Sequence, residues 1–153
     1  MRVVVAPDSF KGSLTAPQVC AALARGLVRA IPDAHVLQRP MADGGEGTLD
    51  AVLAAVGDVG RRCTAEVSGA GGARISAAYG LIEREEGTTA VVEVAQVVGI
   101  TDAAAMAVPV ERRSTRGVGE LMRMLLDAGV RRFMVGLGGS STNDGGSGLL
   151  SAL

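Results

Sequence analysis

The sequence is poor in the residues that build cross-links and metal cages. It holds two cysteines, Cys20 and Cys63, and one histidine, His35, in 153 residues. Two thiols are too few for a disulfide framework or a cysteine-rich metal site. They are expected to be reduced core thiols of a cytoplasmic protein. His35 stands alone in a short predicted strand and reads as a core or edge residue. No apolar run approaches the ~18 residues of a membrane span. The N-terminus Met1-Arg2-Val3-Val4-Val5 turns polar by Asp8, too soon for a secretory signal. The net charge is −1, without the basic stripe that a nucleic acid would require. Lysine is also scarce: Lys11 is the single one among 15 basic residues. Its compact ammonium differs in chemistry from a guanidinium, and it lies in the first polar loop. Two common nucleotide signatures are missing. Lys11-Gly12-Ser13 has the wrong order for a P-loop, and Gly136-Leu137-Gly138-Gly139-Ser140-Ser141 is not G-x-G-x-x-G.

What the chain has in excess is glycine, 22 of 153 residues, about twice the usual share. The glycines cluster between patterned segments. Residues 2–6 are a continuous β-branched run and predict a buried strand. Thr15-Ala16-Pro17-Gln18 is a capping-box pattern with proline in the first turn, so a helix starts there. Val19, Ala22, Leu23, Gly26, Leu27, Ala30 and Ile31 form its predicted apolar face, and Pro32 stops it. A strand over 35–38 completes a strand–helix–strand opening of a parallel α/β sheet. Leu49, Val52, Leu53 and Val56 mark a second helix closed by Gly57. The stretches 61–68, 74–83 and 88–95 then read as strands with no helix between them, an antiparallel insert on the α/β frame. Residues 103–108 are weakly patterned. A helix begins near Thr115, with Met122 and Met124 expected in its core face and the pairs Glu120–Arg123 and Arg123–Asp127 on its surface. Another buried strand covers 132–137. The frame is therefore 1–60 plus 96–153, and 61–95 is the insert and the start of a second domain. The last segment, 149–153, is a helix start without a stop signal, and predicts an N-terminal fragment whose C-terminal remainder is missing.

Three predicted strands lead into polar glycine-rich loops: 8–13, 43–48 and 138–148. In a parallel α/β sheet such loops share the rim where ligands bind. The second and third each carry Asp-Gly-Gly-x-Gly just before a helix. Glycine lets backbone N–H groups approach a phosphate, and the helix N-terminus favours an anion. Ser140, Ser141, Thr142 and Asn143 add donors. Carboxylates beside a phosphate need a cation between, so Asp43, Glu46 and Asp144 fit Mg²⁺ ligation or a general-base role. Lys11 supplies the positive charge that phosphoryl transfer or carboxylate binding requires. Ser114 and Thr115, with Gly117 and Gly119 after them, form a fourth anion-compatible helix start.

These segments also carry a family likeness. Ala6-Pro7-Asp8-Ser9-Phe10-Lys11-Gly12-Ser13-Leu14, Pro40-Met41-Ala42-Asp43-Gly44-Gly45-Glu46-Gly47-Thr48 and Gly138-Gly139-Ser140-Ser141-Thr142-Asn143-Asp144-Gly145-Gly146 resemble the signature segments of the class I glycerate kinases, as does Gly117-Val118-Gly119-Glu120-Leu121. The resemblance implies a Rossmann-like parallel sheet with the antiparallel insert belonging to a second α/β domain, and an active site in the cleft between them. It implies ATP and Mg²⁺ as cofactors and D-glycerate as substrate, phosphorylated usually at the 2-hydroxyl. The partners it implies are D-glycerate and ATP, with no nucleic acid and no membrane, and with monomer or homodimer left open. Carried over position by position, the resemblance points to Asp8, Ser9, Lys11, Asp43, Glu46, Thr48, Asn143 and Asp144. Lys11, Asp43 and Asp144 are then expected to be catalytic, with Asp43 or Asp144 acting on the glycerate hydroxyl, and Asp8, Ser9, Thr48, Ser114 and Thr115 to bind substrate. Gly138, Gly139, Ser140, Thr142, Asn143, Gly145 and Gly146 cradle the nucleotide phosphates. Asp43, Glu46 and Asp144 are the candidate metal ligands. Arg116, where the family often has an aromatic residue, and Ser141, where alanine is frequent, depart from its pattern. Two other readings stay open: a non-catalytic phosphate-binding fragment, and a kinase of the same fold for another small hydroxy acid.

Overall fold

The computed structural model describes residues 1–10 and 12–153; Lys11 lies outside the described residues. The chain opens with the predicted strand–helix–strand order, but the first strand, predicted buried, is buried only at Val5, and Val4 is exposed. β1 (Arg2–Val5) and β2 (His35–Gln38) pair in parallel, in the register Arg2 with His35, across the helix α1 (Ala16–Ala30). The capping box at the start of α1 is complete. Thr15 Oγ1 accepts from the Gln18 N–H (3.4 Å), and Gln18 Oε1 accepts from the Thr15 N–H (2.9 Å). The apolar face of α1 is narrower than its pattern suggests. Ala16, Val19, Cys20 and Ala24 are buried, while Leu23, Val28 and Ile31 are exposed. A two-stranded sheet offers too little surface to cover more of the helix.

The remaining strands form a second sheet. β3 (Gly60–Ser68), β4 (Arg74–Ile82) and β5 (Thr89–Glu93) run antiparallel, and β6 (Arg132–Gly136) joins β5 in parallel. The antiparallel meander is as expected. The placement of 132–137 is not, because this strand pairs with β5 of the insert and not with β1 or β2. Between β5 and β6 lie α3 (Ala95–Val98), α4 (Ala103–Met106) and α5 (Arg116–Asp127). That segment is long enough for the crossover that a parallel pair requires. The fold is thus mixed α/β, with a parallel pair in each sheet.

Both faces of the larger sheet are covered, and this explains the uninterrupted apolar run of β5. Ala90 and Val92 pack with Val97, Val118, Leu121 and Leu125 of α3 and α5. Val91 points the other way, onto Leu49 of α2 (Thr48–Val56), with Ile82 and Leu53 beside it. Full burial of side chains of this size contributes about 1.5–3 kcal/mol each. On α5 the buried stripe is Val118, Leu121 and Leu125; Met122 is partly buried against it, and Met124 faces outward. Arg123 pairs with Asp127 as expected, but Glu120 pairs with Arg74 and Arg116 in place of Arg123. Of the thiols, Cys20 is buried and Cys63 half-buried, and both are free. Among the described residues no helix is long and apolar enough to cross a membrane.

Candidate functional site

The three glycine-rich loops meet in pairs. The first folds back on itself: the Phe10 N–H donates to Leu14 O (2.9 Å) and the Leu14 N–H to Phe10 O (3.0 Å). Asp8 Oδ1 accepts from the Ser9 N–H (2.6 Å), and the Met41 N–H donates to Pro7 O (3.0 Å), which ties this loop to the start of the second. Asp8, Ser9 and Phe10 from the first loop, and Met41, Glu46 and Asp50 from the second loop and α2, line one pocket of about 360 Å³. Lys11, placed by its sequence position in the same loop, lies outside the described residues.

The second loop is stitched to the third through close backbone contacts. The Gly138 N–H donates to Gly44 O (2.8 Å). A Cβ at Gly138 would stand 2.7 Å from the Cα and N of Gly45, so only glycine permits this approach. A Cβ at Gly139 would lie 3.7 Å from Glu46 Cγ, so the Glu46 stem sits where the two loops join. Glu46 Oε1 is shut off from water and has no hydrogen-bond partner among the described residues. A buried acceptor left unpaired is costly, and this one is suited to a cation or a donor brought by a ligand.

Internal bonds hold the loop in shape. Asp43, an exposed residue, accepts from the Gly45 N–H through Oδ1 (3.0 Å). The buried Thr48 hydroxyl donates to Gly45 O (2.7 Å) and so closes the turn from inside. Gly47, the N-cap of α2, has φ 87°, and no side-chain cap comes from the loop itself. The missing acceptor comes from Glu93 at the end of β5. Its carboxylate takes the N–H of Gly47 (3.3 Å) and of Leu49 (2.8 Å), together with Gln96 Nε2 (3.1 Å). Glu93 is fully buried. Sequence reading passes over it, although a lone acid ending an apolar strand is the signal that could have found it.

The third loop repeats this device at its far end, just before α6 (Ser147–Ala152). Asp144 accepts from the N–H groups of Gly146 (3.1 Å) and Gly148 (3.1 Å) and from the Thr115 N–H (2.8 Å). The hydroxyls of Thr115 (2.9 Å) and Ser114 (3.3 Å) also reach it. Burial works to raise the Asp144 pKa, but the bonds from Thr115, Gly146 and Gly148 outweigh it and hold the carboxyl below its ordinary value. The predicted substrate residues Ser114 and Thr115 are therefore engaged with Asp144, and the Gly146 N–H is too. Gly145 and Asn143 are exposed beside them. Nearer the second loop, Ser140 Oγ and Thr142 Oγ1 lie 2.8 Å apart, and the Ser141 hydroxyl donates to Val98 O (2.9 Å). Arg113 anchors this stretch by donating to Ser141 O (3.1 Å). The predicted metal ligands are brought together only in part. Asp43 and Glu46 share the second loop, whereas Asp144 is bonded across to the start of α5. Among the described residues no three acidic, histidine or cysteine side chains gather as a metal cage.

Comparison with known proteins gives these loops their context. The model of the glycerate kinase family matches residues 3–153. A glycerate kinase of Haemophilus influenzae is 42% identical over the whole of this chain, and a glycerate 2-kinase of Escherichia coli is 40% identical. A crystal structure described under the name glycerate kinase 2, from Salmonella typhimurium LT2, superposes with a TM-score of 0.75 at 42% identity. This chain is covered in full in that superposition, and 40% of the other chain is covered. The chain spans 39% of the length of these two curated relatives. By the family match over nearly its whole length, this chain belongs to the glycerate kinase family.

Proposed function

We propose that this chain provides the first, second and third glycine-rich loops of an ATP- and Mg²⁺-dependent kinase that phosphorylates D-glycerate to 2-phosphoglycerate in the cytoplasm. The observation that carries the reading is the junction of the loops. Glu46 lies in a pocket wall shared with Asp8 and Ser9, and its buried oxygen has no partner among the described residues. A magnesium ion in a phosphoryl-transfer site is held by one or two carboxylates together with substrate phosphates, so a three-carboxylate cage is not required. Glu46 is the group to hold Mg²⁺, which when bound would neutralise the charge of the nucleotide phosphates.

In this reading Asp8 and Ser9 orient glycerate in the pocket, and Lys11 binds its carboxylate or the transferring group. Asp43 accepts the proton of the 2-hydroxyl as the new oxygen–phosphorus bond forms. The bond from the γ-phosphorus to its bridging oxygen breaks, and ADP leaves. The loop 138–143 lies against the nucleotide phosphates. Asp144 is reassigned from catalysis to positioning. Its carboxylate already accepts from the N–H groups of Thr115, Gly146 and Gly148 and from the hydroxyls of Ser114 and Thr115, which suits it to hold the loop in place.

The test is an ADP-release assay on the complete reading frame that encodes this chain, with D-glycerate and related hydroxy acids and with phosphorus NMR of the product. Magnesium-dependent turnover of glycerate to the 2-phosphate is expected. Turnover of another acid alone would move the substrate assignment. No turnover of any acid would sink the kinase reading. The 153-residue chain by itself is expected to bind phosphate without turnover, since it spans 39% of the length of its relatives.

A further inference from the structure

Glu93 is the one fully buried carboxylate among the described residues, and the chemistry proposed above does not use it. It ends β5, on the larger sheet, yet its bonds reach the second glycine-rich loop 44 to 46 residues earlier in the chain. Oε1 accepts from the Gly47 N–H and from Gln96 Nε2, and Oε2 from the Leu49 N–H. These N–H groups belong to the first turn of α2, where no intrahelical acceptor is available. Gly47 has no side chain with which to supply one. The turn fixed in this way sits between Glu46 and Asp50, and both of these line the pocket. With Gly138 pressed against Gly45 on one side and Glu93 holding the Gly47 N–H on the other, the backbone of Glu46 is held at both of its neighbours.

We propose that Glu93 is a positioning residue: its carboxylate fixes the first turn of α2 and thereby sets the place of Glu46 in the cation and substrate pocket. This inference rests on the kinase reading for its activity readout. Groups that orient a ligating carboxylate from behind typically change metal affinity or activity 10- to 100-fold when removed. Glu93→Gln puts an amide donor against N–H donors at one of the two oxygens while keeping the volume of the side chain. Glu93→Asp keeps the charge but shortens the reach. Val92→Ala is the control, because Val92 is equally buried one residue earlier but faces α5. It weakens the same strand without touching the loop.

The experiment uses the complete protein and compares variants at matched distance below their Tm. Glu93→Gln is expected to raise the magnesium concentration for half-maximal rate and the KM for glycerate roughly tenfold or more. Amide exchange should quicken at Gly47 and Leu49. Val92→Ala should leave all of these unchanged, and Glu93→Asp should restore part of the loss. If Glu93→Gln and Val92→Ala lose activity in parallel, with unchanged KM and magnesium requirement, Glu93 is a structural cap only and the proposal fails. Should the wild-type protein turn over no glycerate, the kinase reading fails separately. The positioning role is then read from exchange at Gly47 and Leu49 and from the magnesium-induced shift in Tm, and equal shifts in wild type and Glu93→Gln would overturn it. Should Glu93→Gln not fold, Glu93→Asp carries the same comparison.

Discussion

A carboxylate next to a helix N-terminus can serve a ligand or serve the helix, and the count of donors already aimed at it distinguishes the two. Asp144 receives backbone N–H groups from Thr115, Gly146 and Gly148, together with two hydroxyls. That is a joint between α5 and α6. Asp144→Asn keeps one acceptor and sets an amide donor against N–H groups, so it should lower stability at pH 7 by about 1–3 kcal/mol. The pH dependence has a definite sign. Asp144 titrates below its ordinary value when folded. Its contribution is therefore complete above the unfolded value of about 3.9 and is lost as pH falls through the lower, folded value. Glu120 follows the same rule: burial raises its pKa, but bonds from Ser68, then Arg116 and Arg74, bring it down. Denaturant titrations from pH 7 to pH 3 should show the gap between wild type and Asp144→Asn narrowing below about pH 4. A constant gap would remove Asp144 from this linkage. The same scale shows what sequence can convey. The capping box at Thr15 is legible because donor and acceptor are three residues apart. Glu93 and Asp144 act on partners some 30 to 46 residues away, and no local pattern encodes that.

Among the elements, the strands and helices themselves are legible, since period and punctuation are local properties of the chain. Which strand pairs with which is not. Residues 132–136 carry the same apolar signal whether they lie beside β1 or β5; in the structure they pair with β5, and Phe133 packs against the cluster that α5 and β5 share. The meeting of the loops was legible in outline from their glycines, although β6 brings in the third from a different sheet than β1 and β2. Its tightest contact was not: Gly138 against Gly45 is backbone on backbone between segments more than 90 residues apart in sequence. Gly138→Ala tests that contact. The new methyl would stand 2.7 Å from Gly45, where nothing flexible can yield. Overpacking of this kind costs about 1–3 kcal/mol. Tm should fall, and amide exchange should quicken in both loops, 43–48 and 138–143. Gly145→Ala, where nothing lies within 4 Å but φ is 60°, should strain its own turn and leave 43–48 protected. Equal exchange at 43–48 in the two variants would show that the loops are not coupled through Gly138.

At the scale of the whole molecule, the described chain leaves strand edges and apolar side chains uncovered. β6 ends the larger sheet, and its outer edge has no partner strand among the described residues. Met134, Val135 and Leu137 along and just beyond it are exposed, Leu137 at 73%, and Leu150 of α6 is 70% exposed. An open edge flanked by apolar side chains is a template for pairing with another chain. Surfaces of this type on a lone domain promote association or mark an interface. The purified 153-residue chain is therefore expected to associate as its concentration rises, with sedimentation velocity showing growing oligomers. Val135→Lys, which places a charge on that edge strand and leaves the buried Gly136 and the loop beyond it intact, should shift the chain towards monomer. The complete reading frame should behave as a defined species whose mass does not drift with concentration, if its additional length covers this edge. A 153-residue chain that stays monomeric across the whole concentration range would show that the exposed edge is protected without a partner. The apolar residues along β6 would then need a role inside this chain.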